Sequence, residues 1–164
     1  WIPLSEGDVQ IIRSGNGISH AEEIDKETEI FQIWFDPDLS NSLKKEATYD
    51  DYSSKEFKVL NSDNKLKKII KGDGSPMKMD SEGIFINEYL FRSGNHLLEI
   101  NQGFIHSYFI LNGELEYEKN ILQKGTFFTV KKQNNFEFQS LNKARIFEII
   151  SPLYPKYKTY FVSN

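Results

Sequence analysis

The chain of 164 residues contains no cysteine. That excludes disulfides, thiolate metal sites and cysteine nucleophiles together, and it fits a reducing compartment, so the expected location is the cytoplasm. Histidine is nearly as scarce, with only His20, His96 and His106. Any bound metal must be held by these imidazoles, carboxylates and water. No apolar run approaches the roughly 20 residues that a membrane span requires, so no membrane partner is expected. The formal charge of −4 provides no basic footprint, so no nucleic-acid partner is expected either. No Gly-rich phosphate loop and no usable Ser-His-Asp spacing is present. The chain opens Trp1-Ile2-Pro3 without an initiator Met and without the charged-then-apolar run of a signal peptide. Either a segment has been removed or these residues belong to a longer chain.

What the sequence does have is apolar and aromatic material: 38% hydrophobic residues, with 13 Phe, 8 Tyr and 2 Trp. That is enough for a core, which excludes wholesale disorder. Short runs rich in Ile, Phe, Tyr and Val, split by Gly, Asn and Asp, predict strands over 9–13, 29–35, 56–60, 66–70, 84–91, 96–100, 104–111, 114–118, 126–130, 136–138 and 144–150. Asn112-Gly113 between two of them predicts a hairpin with a type I′ turn. Helical periodicity is confined to 43–49 and the tail after Pro152. Residues 36–55 are polar and turn-rich, the composition of a connection, and 71–77 form a second loop. The fold class expected is all-β, a sandwich or barrel.

The two ends of the chain resemble each other. Gly7-Asp8-Val9-Gln10-Ile11-Ile12 matches Gly125-Thr126-Phe127-Phe128-Thr129-Val130 in pattern, an offset of 118, and Ile30-Phe31-Gln32-Ile33 echoes Ile146-Phe147-Glu148-Ile149, an offset of 116. One change of loop length accounts for the difference, and such self-similarity marks a duplicated unit. The second copy is preceded by a long run of strands, 84–124, whereas only six residues precede Gly7. The first unit thus lacks its opening half, and its missing strands are expected upstream of Trp1. Residues 1–50 form the C-terminal half of a first barrel, and residues 51–164 a linking strand, a second barrel and a tail.

One segment combines donor chemistry with a strand pattern: Ser14-Gly15-Asn16-Gly17-Ile18-Ser19-His20-Ala21-Glu22. If 18–22 is extended, His20 and Glu22 share a face about 7 Å apart, because side chains alternate along a strand. An imidazole and a carboxylate so placed can act as two ligands of a His/carboxylate metal site. A polar surface strand produces the same His-x-Glu pattern, so the motif alone leaves both readings open. Of the other histidines, His106 in an apolar run reads as a hydrogen-bonded structural or surface residue rather than a ligand, and His96 in a turn as solvated. Trp34 and the alternation of Phe31, Ile33 and Phe35 read as core, with Trp34 as the wall of a ligand pocket the alternative; the four lysines of 65–71 read as a solvated strand face, and the aromatic tail 154–161 as packing across a barrel or an interface.

Gly7-Asp8-Val9-Gln10, Gly15-x-Gly17-Ile18-x-His20-x-Glu22, Gln32-Ile33-Trp34 and Pro37 together resemble the pirin family, the two-barrel cupin proteins. The resemblance runs over nearly the whole chain. It implies a bicupin whose first barrel is incomplete here at its N-terminal side. It also implies that His20 and Glu22 supply two of four ligands to one divalent metal, iron in most such proteins. The other two would be a His-x-His pair expected upstream of Trp1, so the metal belongs to the complete protein and can be absent from this chain. In the second barrel the repeat carries His20 onto Phe138 and Glu22 onto Ser140, and the His-x-His pair onto Glu99 and Asn101, so that barrel is expected to be metal-free. The activity implied is that of a quercetin 2,3-dioxygenase-like enzyme acting on a small aromatic, flavonol-type substrate with dioxygen, Glu22 serving as catalytic base. The competing reading is a non-enzymatic regulator that binds a protein partner and responds to the metal's redox state. A third is a structural remnant without metal.

Overall fold

The structure, a computed structural model, describes residues 1–160. Twelve strands, one α-helical turn, α1 (Leu39–Ser42), and one 3-10 turn (Ser54–Glu56) make up the regular elements of the described residues. Every pairing is antiparallel, and the strands form three sheets. A two-stranded ribbon joins β1 (Val9–Arg13) to β2 (Thr48–Tyr52). A six-stranded sheet contains β3 (Lys58–Ser62), β4 (Lys65–Lys71), β5 (Phe85–Phe91), β7 (Phe104–Asn112), β10 (Phe127–Val130) and β12 (Ala144–Pro152), in the order β10-β7-β12-β5-β4-β3. A four-stranded sheet contains β6 (Gly94–Glu99), β8 (Glu114–Tyr117), β9 (Asn120–Gln123) and β11 (Asn135–Ser140), in the order β6-β11-β8-β9. Among the described residues, no helix is long and apolar enough to cross a membrane.

Period-two alternation explains how the six-stranded sheet is buried on both faces. Tyr89 and Phe91 of β5, Tyr108 and Ile110 of β7, and Ala144 and Ile146 of β12 point toward the four-stranded sheet. There they meet Leu98, Ile100, Leu115, Phe136 and Phe138. The aromatic rings fill this interior: Phe136 stacks on Phe138 at 4.8 Å, and Phe91 meets Phe138 edge-on at 5.1 Å. The opposite parity, Ile86 of β5 with Phe147 and Ile149 of β12, packs under the ribbon with Ile11, Phe57, Ile70 and Met77. Arg13 fastens the ribbon by hydrogen bonds to Thr48 Oγ1 (3.1 Å) and the Lys78 carbonyl (2.9 Å) and by an ion pair with Asp50.

Several expectations are corrected. Asn112-Gly113 does not close a hairpin, because β7 and β8 lie in different sheets and the dipeptide is the corner between them. Gly113, at φ +85°, passes so close to the chain that a Cβ there would lie 2.6 Å from Ala144 Cα. The two-residue turn with both residues at positive φ joins β8 to β9, at Glu118 (49°) and Lys119 (65°). Residues 29–35 form no strand and pair with none among the described residues. Trp34 is accordingly 88% exposed rather than core. Phe31 still packs, stacking on Phe109 at 4.9 Å and meeting Phe147 at 4.9 Å. Residues 36–55 are more than a connection, since they contain β2. The tail touches the N-terminal segment through Tyr157 OH, which donates to the Asp36 carbonyl at 2.8 Å; Phe161 lies outside the described residues.

The repeat is reproduced in its first part. Gly7 (φ +80°) and Gly125 (φ +86°) have the same left-handed backbone and lead into β1 and β10. In the second part, 30–33 is irregular while its counterpart lies within β12.

Candidate functional site

The segment bearing His20 and Glu22 begins in a tight turn. Gly17 N–H donates to the Ser14 carbonyl at 2.8 Å, and Asn16 N–H to the Lys45 carbonyl at 2.9 Å. Gly15, at φ +50°, approaches so closely that a Cβ would sit 2.5 Å from the Lys45 oxygen. Beyond the turn, residues 18–24 are exposed and irregular rather than extended in a sheet. His20 and Glu22 nevertheless face each other, with Nε2 3.7 Å from Oε1, and their side chains are 43% and 38% exposed. Among the described residues no third His, Asp or Glu joins them in a group able to hold a metal ion. Protein metal centres of this type use three or four protein donors, so these two residues do not fit a metal on their own. The positions onto which the sequence repeat carries them, Phe138 and Ser140, are buried on β11, while Glu99 and Asn101 are exposed.

The most elaborate polar assembly lies elsewhere. Glu148 sits at the inward parity of β12 and is almost wholly buried. The register places it opposite Asn87 of β5 and Tyr108 of β7. Its Oε1 accepts from His106 Nδ1 at 2.9 Å and Tyr108 OH at 2.8 Å; its Oε2 accepts from Asn87 Nδ2 at 2.8 Å and Tyr89 OH at 3.0 Å. The Asn101 N–H donates to His106 Nε2 at 3.2 Å, so that nitrogen carries a lone pair. With Nε2 accepting from Asn101, Nδ1 is the donor directed at Glu148. Burial alone would push the Glu148 carboxyl up, but the bonds from His106, Tyr108 and Asn87 outweigh it and hold the group below its ordinary value. Burial, and then the charge and hydrogen bond of Glu148, push the Tyr89 and Tyr108 phenols far above theirs.

This arrangement stores a negative charge without offering it to a substrate. Both carboxylate oxygens are saturated and the remaining imidazole lone pair is occupied, so no general base is free. His106 is thus the hydrogen-bonded structural residue expected. The unrecognised member was Glu148; its signal is a carboxylate at an inward position within Ile146-Phe147-Glu148-Ile149-Ile150. His96 corrects the solvated reading. It is 5% exposed, its Nε2 donates to the Arg92 carbonyl at 2.8 Å, and Nδ1 is buried without a partner beside Phe91 and Phe138. The lysine row is only partly solvated: Lys68 Nζ bonds the Gly7 carbonyl and Ser54 Oγ, both at 2.8 Å. Two open surface clefts, of about 310 and 370 Å³, are lined by other residues than His20, Glu22, His106 or Glu148.

No family model and no curated protein matches the chain. Solved structures do. GK1651 from Geobacillus kaustophilus is similar over 91% of this chain and 65% of that one, with 17% identity and a TM-score of 0.69. Quercetin 2,3-dioxygenase from Acinetobacter baumannii is similar over 69% of this chain and 42% of that one, with 14% identity and a TM-score of 0.59. A second structure of that dioxygenase covers 71% and 39%, at 14% identity and a TM-score of 0.61. The chain therefore spans between about two fifths and two thirds of the length of these proteins. At such identities the likeness is one of fold, and the fold is a cupin-type β-barrel.

Proposed function

We propose that these residues belong to a cytoplasmic, pirin-like bicupin protein in which His20 and Glu22 contribute to a site for one divalent metal, iron by the resemblance. The observation that carries the reading is the 3.7 Å approach of the two side chains on the segment where the family motif falls. Two donors are too few, so the reading requires further ligands from outside this chain, on strands completing the first barrel. The substrate class is a flavonol-like aromatic together with dioxygen, and Glu22 takes the proton of the flavonol hydroxyl. The test is aerobic incubation of the protein made from the intact gene with quercetin, following oxygen uptake and flavonol loss. Turnover that falls at least tenfold in Glu22→Ala supports the dioxygenase reading; absence of turnover by metal-loaded protein rejects it.

The second reading, a metal-responsive regulatory binding protein, is favoured by one feature. The interior of the second barrel is occupied by Tyr89, Phe91, Tyr108, Phe136 and Phe138. That leaves it as a scaffold and directs attention to the outer surface of this part of the protein.

A further inference from the structure

The six-stranded sheet ends at β3, whose five residues are all exposed. Among the described residues no strand pairs with its outer side. The ladder to β4 runs without interruption from Lys58↔Ile69 to Ser62↔Lys65. The two-residue turn at Asp63 and Asn64 makes Ser62 and Lys65 a mutually hydrogen-bonded pair, and alternation gives Leu60/Lys67 and Lys58/Ile69 the same status. The N–H and C=O groups of Val59 and Asn61 therefore point away from β4, where a further antiparallel strand would find them. Natural sheets guard such edges with proline, bulges, covering loops or charged side chains, and here Lys58 is the one charged residue on β3. This edge has neither proline nor bulge, and leaves Val59 and Leu60 53% and 45% exposed.

The charge around this edge opposes that of the molecule. The β3–β4 hairpin carries Lys58, Lys65, Lys67, Lys68 and Lys71 against the single carboxylate of Asp63, in a chain of net charge −4. Lys68 is engaged with Gly7 and Ser54. Lys58, Lys65 and Lys67 share the sheet face of Leu60 by register, a row of positive charge in which Lys65 Nζ also lies 3.5 Å from the Leu97 carbonyl and Lys67 Nζ 5.6 Å from the centre of the Tyr89 ring. Two β3 edges brought together would set these rows against each other, which disfavours pairing of two copies. An acidic strand is the complement.

We propose that β3 is a docking edge for an extended acidic segment of a partner protein. The segment adds to the sheet as a further strand and sets its carboxylates beside Lys58, Lys65 and Lys67. This extends the regulatory reading by naming a surface and a partner chemistry. It involves neither His20 nor Glu22, so it is tested without metal and its failure leaves the metal tests intact.

The probe is a fluorescein-labelled, capped octapeptide alternating glutamate with valine, titrated against the protein by fluorescence anisotropy. Binding is expected to saturate and to weaken about fivefold when salt rises from about 50 to about 300 mM. Val59→Pro removes one outward N–H while leaving the bonds to β4 in place, and is expected to weaken binding about tenfold. Lys58→Glu combined with Lys65→Glu is expected to do the same. A peptide N-methylated at alternate amides keeps the charge but cannot pair as a strand, so it must lose binding, a control independent of how the variants fold. Absence of saturable binding, equal binding of the methylated peptide, or unchanged affinity in correctly folded Val59→Pro would overturn the proposal.

Discussion

Replacing Glu148 by Gln keeps the shape of the side chain and removes its charge. The carboxylate accepts four hydrogen bonds at 2.8–3.0 Å from Asn87, Tyr89, His106 and Tyr108. Glutamine retains one oxygen able to accept two of them, and sets an NH2 group against the other two donors. A tyrosine hydroxyl can rotate to accept from that NH2, but the imidazole or Asn87 N–H on the same side cannot. One unpaired buried donor costs about 1–3 kcal/mol, and loss of charge assistance in the surviving bonds adds to this. The net loss is about 2–4 kcal/mol, because removing a buried charge also relieves its desolvation. In a domain of this size that is a fall in Tm of roughly 5–15 °C. Urea and thermal denaturation at pH 7 measure it. A change within about 0.5 kcal/mol would refute an ionised, fully bonded Glu148. The pH dependence follows in sign. The folded pKa of Glu148 lies below its ordinary 4.5, so its contribution is complete above that value. It is lost as pH falls through the lower folded value, and the difference between wild type and Glu148→Gln shrinks there.

The other perturbations probe backbone and titration. Tyr89 and Tyr108 have phenol pKa values raised from 10.0, first by burial and then by Glu148. Their contribution is complete below pH 10 and lost above it, so chemical denaturation should show stability falling as pH rises past about 10; a flat profile to about pH 11 would contradict their burial as neutral phenols. Gly113→Ala forces a Cβ to within 2.6 Å of Ala144 Cα at φ +85°, and a loss of roughly 2 kcal/mol or more is expected by urea denaturation. Lys119→Gly relieves a left-handed non-glycine residue at φ 65° and should stabilise by about 0.5–1 kcal/mol.

How far the fold was legible depends on where pairing is local. The run 9–13 coincides with β1, and the later apolar runs mark β5, β7 and β12, because alternation over five or more residues reflects which face is buried. Two short strands escaped. β2 (Thr48–Tyr52) reads Thr-Tyr-Asp-Asp-Tyr, and its polar residues are tolerated because only the Tyr52 end packs on the core. β9 has four residues and is held by its hairpin to β8. Asn112-Gly113 misled because a Gly at positive φ is demanded equally by a hairpin and by a corner between sheets, and only long-range register distinguishes them. Residues 29–35 have the alternation of a strand but pair with no strand among the described residues, so propensity does not become structure. In the candidate site, the spacing of His20 and Glu22 was legible, and the two side chains approach to 3.7 Å on an exposed segment that belongs to no strand. The Glu148 assembly joins residues 61 and 42 positions apart in sequence, through Asn87 and His106, which local reading does not link.

The proposed role of His20 and Glu22 as metal ligands is open to direct test. The direct measurement is the metal content, by inductively coupled plasma mass spectrometry, of protein purified from the intact gene, beside its His20→Ala and Glu22→Ala variants. About one divalent ion, iron foremost, is expected per wild-type chain, with loss of most of it in each correctly folded variant, since removing one of few donors to a half-exposed site weakens it severely. Equal metal content in wild type and His20→Ala, or no metal in the wild type after reconstitution with ferrous ion, would contradict that role.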